Sequence, residues 1–474
     1  MTLAENNGNI ITQRKYSTIS FTLFSAWLLS FPFGGRILFS LAENSNIDGS
    51  FLSFLAAFAH FIGLFSGGFF IKKQLAAKMT MIFSTVICIS GSLIFFLPFS
   101  FLWYIAIVSI AFFAAYIITS WAYYYKNYSS PKQRIKTAAD VIIISNILMI
   151  MINVLTVETS AFWGLAITLF LMLGSLLFTY RLESNTYFNN SKEMYSLNLP
   201  QGTSNILKPF LFLCIFILII TINSGLMYQV VTPAFAHYEL LTSYYWAIPY
   251  IVALIIIRNM PEKINKAYFL YIAMIMIGLS FISFMWLEIS IPSYLLINTL
   301  MLGAFGVCDL FWWSILGNIF DYYHNPAQVF GIGMSMNVLG IIIGGVVGNQ
   351  IFSLENGNYL ASIIALIVIF IVMTLLPLLN KQLTKLLKAH PFIIHFATMG
   401  ENLQDKALDS FKSNNNLTDK EIEVVKLLLR GYTYKAMSES LFISENTLKY
   451  HIKNIYQKLN INSKMELIKI FIEK

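Results

Sequence analysis

The sequence is short of charge. Only 11% of its 474 residues are Asp, Glu, Lys or Arg, about half the share typical of a soluble chain. Cysteine is nearly absent. Cys88, Cys214 and Cys308 each sit in an apolar run at no metal-ligand spacing, so they read as small buried hydrophobes. No cleavable leader is visible: "MTLAENNGNIITQRKYS" is polar, and no small-residue cleavage site follows the first apolar run. A nucleotide-binding loop, a metal cluster and a nucleophile–base constellation are all missing, which leaves an enzyme reading unsupported and implies no cofactor or metal. What is abundant is apolar surface, with 57% hydrophobic residues and a mean hydropathy of +0.69. That composition points to a chain crossing the bilayer many times. The net charge of +8 then fits cytoplasmic loops facing anionic lipid.

A hydrocarbon core of about 30 Å needs roughly 20 apolar residues in a helix. Twelve such runs are legible, at about 17–41, 51–71, 79–99, 102–124, 138–157, 161–180, 209–232, 241–258, 267–287, 293–318, 329–353 and 359–380. Residues 1–16 precede them as a cytoplasmic segment. Lys and Arg sort to alternate loops: Arg14 and Lys15; Lys72, Lys73 and Lys78; Lys126, Lys132, Arg134 and Lys136; Arg181, Lys192 and Lys208; Arg258, Lys263 and Lys266. The intervening loops hold Glu43, Asp48, Glu158, Glu239, Glu288 and Glu355 instead. This asymmetry predicts cytoplasmic N- and C-termini and a multi-pass protein of the bacterial inner membrane. The loop "GNIFDYYHNPAQ" is the exception, an inside loop without Lys or Arg.

The longest polar break, residues 181–208, divides the runs six and six. Two six-helix halves with a basic loop between the second and third spans resemble the major facilitator superfamily. The resemblance covers 17–380 and implies an all-α, twelve-helix transmembrane bundle. The loop "FFIKKQLAAKMT" lacks the Gly- and Asp-containing signature common in that superfamily's transporters.

Beyond Asn380 the composition changes. "KQLTKLLKAH" continues the last helix as a basic juxtamembrane anchor. Residues 381–416 read as juxtamembrane helix and linker, "GENLQDKALDSFKSNNN" being a polar linker that, if flexible, spans about 20–25 Å. Residues 417–474 then read as four helices. Thr418 with Glu421 has capping-box spacing, Gly431 offers a left-handed stop, Ser444 caps the third helix, and Ser463 with Glu466 forms a second box. In the third helix Leu448, Ile452, Ile455 and Leu459 make one buried stripe, while Lys449 and Lys453 share another face with Tyr450 between them.

"LTDKEIEVVKLLLRGYTYKAMSESLFISENTLKYHIKNIYQKLNINSKMELI" resembles the DNA-binding domain of LuxR/FixJ-type regulators along nearly its whole length. The matches include Glu421, Gly431, Ile443-Ser444-Glu445, Thr447-Leu448-Lys449, His451, Asn454-Ile455 and Lys458-Leu459. Tyr434, Met437 and Ser438 depart from the usual residues. The resemblance implies a helix-turn-helix on double-stranded DNA, with Lys449, Tyr450 and Lys453 as base contacts and Lys435, Thr447, Lys458 and Lys464 as phosphate contacts. It also implies a homodimer on DNA through the fourth helix, where Leu467, Ile468, Phe471 and Ile472 exceed what a small domain needs to cover itself.

Charged residues inside spans mark cavities, because they are costly in lipid. Arg36, Asp140 and Asp309 stand out. Asp309, Trp312 and Trp313 fall close together on one helix, so Arg36, Asp309, Trp312 and Trp313 are the candidate contacts for an unknown small ligand. His60, Asn146, Asn153, Asn223, Tyr228 and Asn337 add polar or aromatic groups. The stretch 309–340 also resembles membrane-embedded LuxR-type regulators with a facilitator-like sensor. The expectation is a one-component regulator embedded in the lipid bilayer; the alternative is a facilitator-type transporter carrying a DNA- or protein-binding module.

Overall fold

A computed structural model describes residues 3–33, 35–184, 204–260, 267–320, 323, 325–398, 401–430, 432, 434–462, 466–467 and 470–471. Helices joined by short turns make up the described chain, and no strand occurs among these residues. Two compact units emerge, one holding residues to Asn185 together with Phe212–Pro377, the other holding Thr186–Leu211 and the chain from Leu378.

Ten described helices are long and apolar enough to cross a membrane, from Gly49–Phe70 to Gly357–Lys381. They correspond to runs two to seven and nine to twelve. The remaining two runs are helical but broken. The first is split into Leu3–Ser30 and Arg36–Asn44, and the first helix takes in residues 3–16 ahead of the apolar run. Pro32 cannot continue the helix hydrogen-bond ladder. At Gly35 a Cβ would lie 1.8 Å from the Ser30 carbonyl oxygen, so only glycine lets the chain fold back there. The eighth run breaks at residues 245–247 between Glu239–Tyr244 and Ile248–Arg258. The seventh helix, Ser204–Leu226, passes into a π-helical turn at Met227–Val231.

Small and hydroxylated residues let the helices approach closely, as apolar membrane bundles require. Ser20 bonds to Thr179 at 2.6 Å across the first and sixth spans. Gly68 meets the helix Pro326–Phe352 so closely that a Cβ would sit 2.2 Å from the Gln328 Cα. Asn325 caps that helix and donates to the Gly68 and Ile71 carbonyls at 2.6 and 3.0 Å, joining the two halves. Lys126 donates to the Tyr323 carbonyl at 2.9 Å. The loop that lacks its own Lys and Arg thus receives a cation from its neighbour. Asp140, one of the charges in the spans, pairs with Arg258 at 2.5 Å.

The second unit contains the terminal module. Its buried core runs through Leu417, Val424, Leu428, Met437, Leu448, Ile452, Ile455, Ile461 and Leu467, and it also takes in Leu408 and Phe411. Those last two correct the linker expectation: Glu401–Asn415 is a helix of 15 residues. Arg430 donates to Gln404 Oε1 at 2.7 and 3.1 Å, and Lys426 pairs with Asp405 at 2.6 Å. A flexible-coil span therefore does not apply to 401–415. The helix is closed by Asn416 at φ 50°, a left-handed position that asparagine tolerates better than most residues.

Candidate functional site

The Thr418–Glu421 capping box forms as expected. The Thr418 N–H donates to Glu421 Oε2 at 2.8 Å, and the Glu421 N–H donates to Thr418 Oγ1 at 3.3 Å. The helix Asp419–Leu429 closes with the Tyr432 N–H on the Leu427 carbonyl at 3.0 Å; Gly431 lies outside the described residues. Tyr434–Ser440 follows, then a turn, then the longer helix Glu445–Lys458. This is helix-turn-helix geometry. In its turn Phe442 stands at φ 52° and is 96% exposed.

Ser444 caps the longer helix by accepting the Thr447 N–H at 3.1 Å, and the two hydroxyls lie 2.8 Å apart. Leu448, Ile452 and Ile455 are buried and Leu459 partly so, which fixes the helix on its core and turns the opposite face out. Lys449, Tyr450 and Lys453 are exposed on that helix. Among the described residues neither lysine pairs with a carboxylate. Both line a hollow of about 550 Å³ with Tyr434, Tyr456, Gln457 and Asn460. Burial first, then the neighbouring Tyr434, raises the Tyr456 phenol above its ordinary value, so Tyr456 stays a neutral donor.

The candidate phosphate contacts separate. Thr447 is exposed at the helix start. Lys435 is in the helix Tyr434–Ser440, with its side chain outside the described residues, as is Lys464 altogether. Lys458 is engaged within the module. Its ammonium lies 2.6 Å from Glu421 Oε2 and 3.3 Å from the Asn416 carbonyl. Burial alone would raise the Glu421 carboxyl, but Lys458 and Thr418 outweigh it and hold the group below its ordinary value. Sequence reading took Glu421 for a cap alone and missed that it also anchors the far end of the exposed helix.

The fourth helix is only partly described. Leu467 is buried, and Phe471 packs on Phe411 with ring centroids 5.0 Å apart. Those two are therefore used inside the module, which corrects the reading of them as surplus. Ile468 and Ile472 lie outside the described residues.

In the membrane unit Asp309 accepts a hydrogen bond from Tyr250 Oη at 2.6 Å. Trp312 is buried one turn further along the same helix, its indole N–H without a partner. Trp313 joins an aromatic cluster with Phe330, Trp121 and Phe21, at 5.2, 6.1 and 6.2 Å. The Arg36 N–H donates to Asn153 Oδ1 at 3.3 Å. Asp309, Trp312 and Trp313 lie within about one turn of one helix; Trp313 belongs to aromatic packing, and Arg36 starts a separate short helix. Tyr250 was missed, since a tyrosine in an apolar run carries no signal of its own.

Residues 415–471 match the family described as bacterial regulatory proteins, LuxR family (GerE). The transcriptional regulatory protein DegU of Brevibacillus brevis is 38% identical over 63 residues, 13% of this chain and 27% of that protein. A nitrate/nitrite response regulator protein homolog of Haemophilus influenzae is 38% identical over 71 residues, 15% of this chain and 31% of its own length. The chain thus spans under a third of either relative. The membrane unit has a different likeness. The solved structure of XylE, a proton:xylose symporter of the major facilitator superfamily, superposes with a TM-score of 0.60 at 12% identity, over 78% of this chain and 95% of that one. The chain therefore joins a major-facilitator-like membrane fold to a C-terminal LuxR-type helix-turn-helix domain.

Proposed function

We propose that this protein is a membrane-embedded one-component transcription regulator, in which the helical bundle senses a small ligand and the terminal module answers on double-stranded DNA. The observation that carries the reading is the helix Glu445–Lys458, capped at its start, seated on a buried stripe, and presenting Lys449, Tyr450 and Lys453 outward. Lysine ammoniums donate to guanine O6 and N7 in the major groove, and the tyrosine ring offers apolar contact with a hydroxyl tip. Thr447, Lys435 and Lys464 take phosphate positions. We assign Lys458 to positioning the helix, because its charge is already matched by Glu421.

We place the protein in the bacterial inner membrane with both termini in the cytoplasm, on the strength of the Lys and Arg distribution. A homodimer on DNA, through the fourth helix, is part of the same proposal. The helix Gly357–Thr398 is 42 residues long and includes the last span. Titration of DNA fragments from the gene's own locus with purified full-length protein tests the reading. Binding that weakens with salt by about 0.9 in log K per log salt for each neutralised phosphate is expected. No preference for any fragment over random DNA would reject it.

The facilitator-like fold supports a second reading, a transporter with an appended reporter module. Uptake of solutes into proteoliposomes distinguishes the two.

A further inference from the structure

Asp309 stands ten residues before the end of the helix Ile291–Ile319, about 15 Å along its axis from that end. It is therefore deep in the bundle. The Tyr250 hydroxyl donates to its Oδ2 at 2.6 Å. Tyr228, in the π-helical turn Met227–Val231 of a neighbouring helix, is near enough to feel its charge. Among the described residues no Lys, Arg or His pairs with Asp309. Asp140 makes the contrast, for its carboxylate is matched by Arg258 at 2.5 Å. A carboxylate in an apolar bundle with only neutral donors is poorly compensated.

Tyr228 is 47% exposed and Asp309 is partly exposed. The helix carrying Tyr228 leaves α-helical hydrogen bonding at that point, an irregularity that recurs where helices bind ligands. The chemistry on offer is one carboxyl with no cationic partner among the described residues and two phenol rings whose faces attract cations. An anion is repelled, and a neutral ligand leaves the carboxyl unmatched.

We propose that Asp309, Tyr250 and Tyr228 recognise a small organic cation, an amine whose ammonium pairs with the Asp309 carboxyl beside the two phenol rings. The proposal rests on the reading that the membrane domain senses a ligand and names that ligand's class.

The test uses full-length protein in nanodiscs and three probes of one size: phenethylamine, 2-phenylethanol and phenylacetate. Thermal stabilisation by phenethylamine, with little from the alcohol and none from the acid, is the expected result. Asp309→Asn, nearly isosteric, should weaken the amine by about 30-fold or more, with amine-free melting measured alongside to show that the variant is folded. Tyr250→Phe, which removes only a hydroxyl, should weaken it less and keep the amine preference. Absence of amine binding, equal binding of the alcohol, or unchanged amine binding by Asp309→Asn overturns the proposal. A DNA titration in parallel separates the two ideas. Amine binding without any change in DNA affinity refutes sensing and leaves the site. A DNA response to the alcohol or acid alone refutes the cation and leaves sensing.

Discussion

Replacing Lys458 with methionine separates a structural role from a phosphate contact. Glu421 Oε2 accepts from the Thr418 N–H at 2.8 Å, the Thr418 hydroxyl at 3.1 Å and the Lys458 ammonium at 2.6 Å. The Glu421 side chain is 6% exposed and that of Lys458 38%. Losing the ammonium leaves a buried carboxylate on two neutral donors. Hydrogen bonds to charged groups contribute about 1.5–3 kcal/mol, and the exposure of the lysine lowers that to about 1–2 kcal/mol through solvent screening. For a module of this size the melting temperature should fall by about 5–15 °C. The pH dependence has a definite sign. Glu421 is depressed in the folded state, so its contribution is present above the ordinary glutamate value and is lost as pH falls through the lower folded value. Lys458→Met should flatten that acid limb. Melting of residues 401–474 across pH 3–7 and DNA titration across salt are the assays. An unchanged melting temperature, with a salt slope smaller by about 0.9, would refute the positioning role and return Lys458 to the phosphate contacts.

Lys449→Ala should cut discrimination between operator and random DNA by about 1–3 kcal/mol, checked by paired titrations; equal weakening on both DNAs would remove the base contact. A module beginning at residue 417 should be less stable than one beginning at 401 by about 3–6 kcal/mol at most, from Leu408 and Phe411 burial, as read by urea unfolding. Phe442→Gly should raise stability by about 0.5–1 kcal/mol, since a bulky residue at positive φ costs about 1–2 kcal/mol and glycine's own entropy returns part of it; the 96% exposure of Phe442 means little packing is lost. Phe471→Glu should unfold the module through its contact with Phe411, so dimer contacts are better probed at Ile472, with analytical ultracentrifugation on DNA as the readout.

The spans were legible because apolar runs of bilayer length leave few alternatives. Their breaks were not. Pro32 and Gly35 carried the signal for the first, but the π-helical turn at Met227–Val231 has no composition of its own. The helix Glu401–Asn415 was hidden by its polarity. Among its described side chains Leu408, Phe411 and the buried Gln404 commit it to the core, too sparse a stripe among Asn, Asp, Lys and Ser. The exposed face of Glu445–Lys458 was readable from helical spacing, since buried positions at steps of four and three dictate what faces out. The engagement of Lys458 was not, because its partner Glu421 lies 37 residues away in sequence. Asp309 was visible as a charge in an apolar run, whereas Tyr250 emerged only when two helices met.

The central claim, that one chain both lies in the membrane and reads DNA, is tested most directly by crosslinking in cells, followed by recovery of DNA with the full-length protein from the membrane fraction. The account expects discrete DNA fragments to be enriched, and expects Lys449→Ala with Lys453→Ala to abolish that enrichment without moving the protein from the membrane. Enrichment that persists in the double variant, or no DNA above background with the wild-type chain, would contradict it.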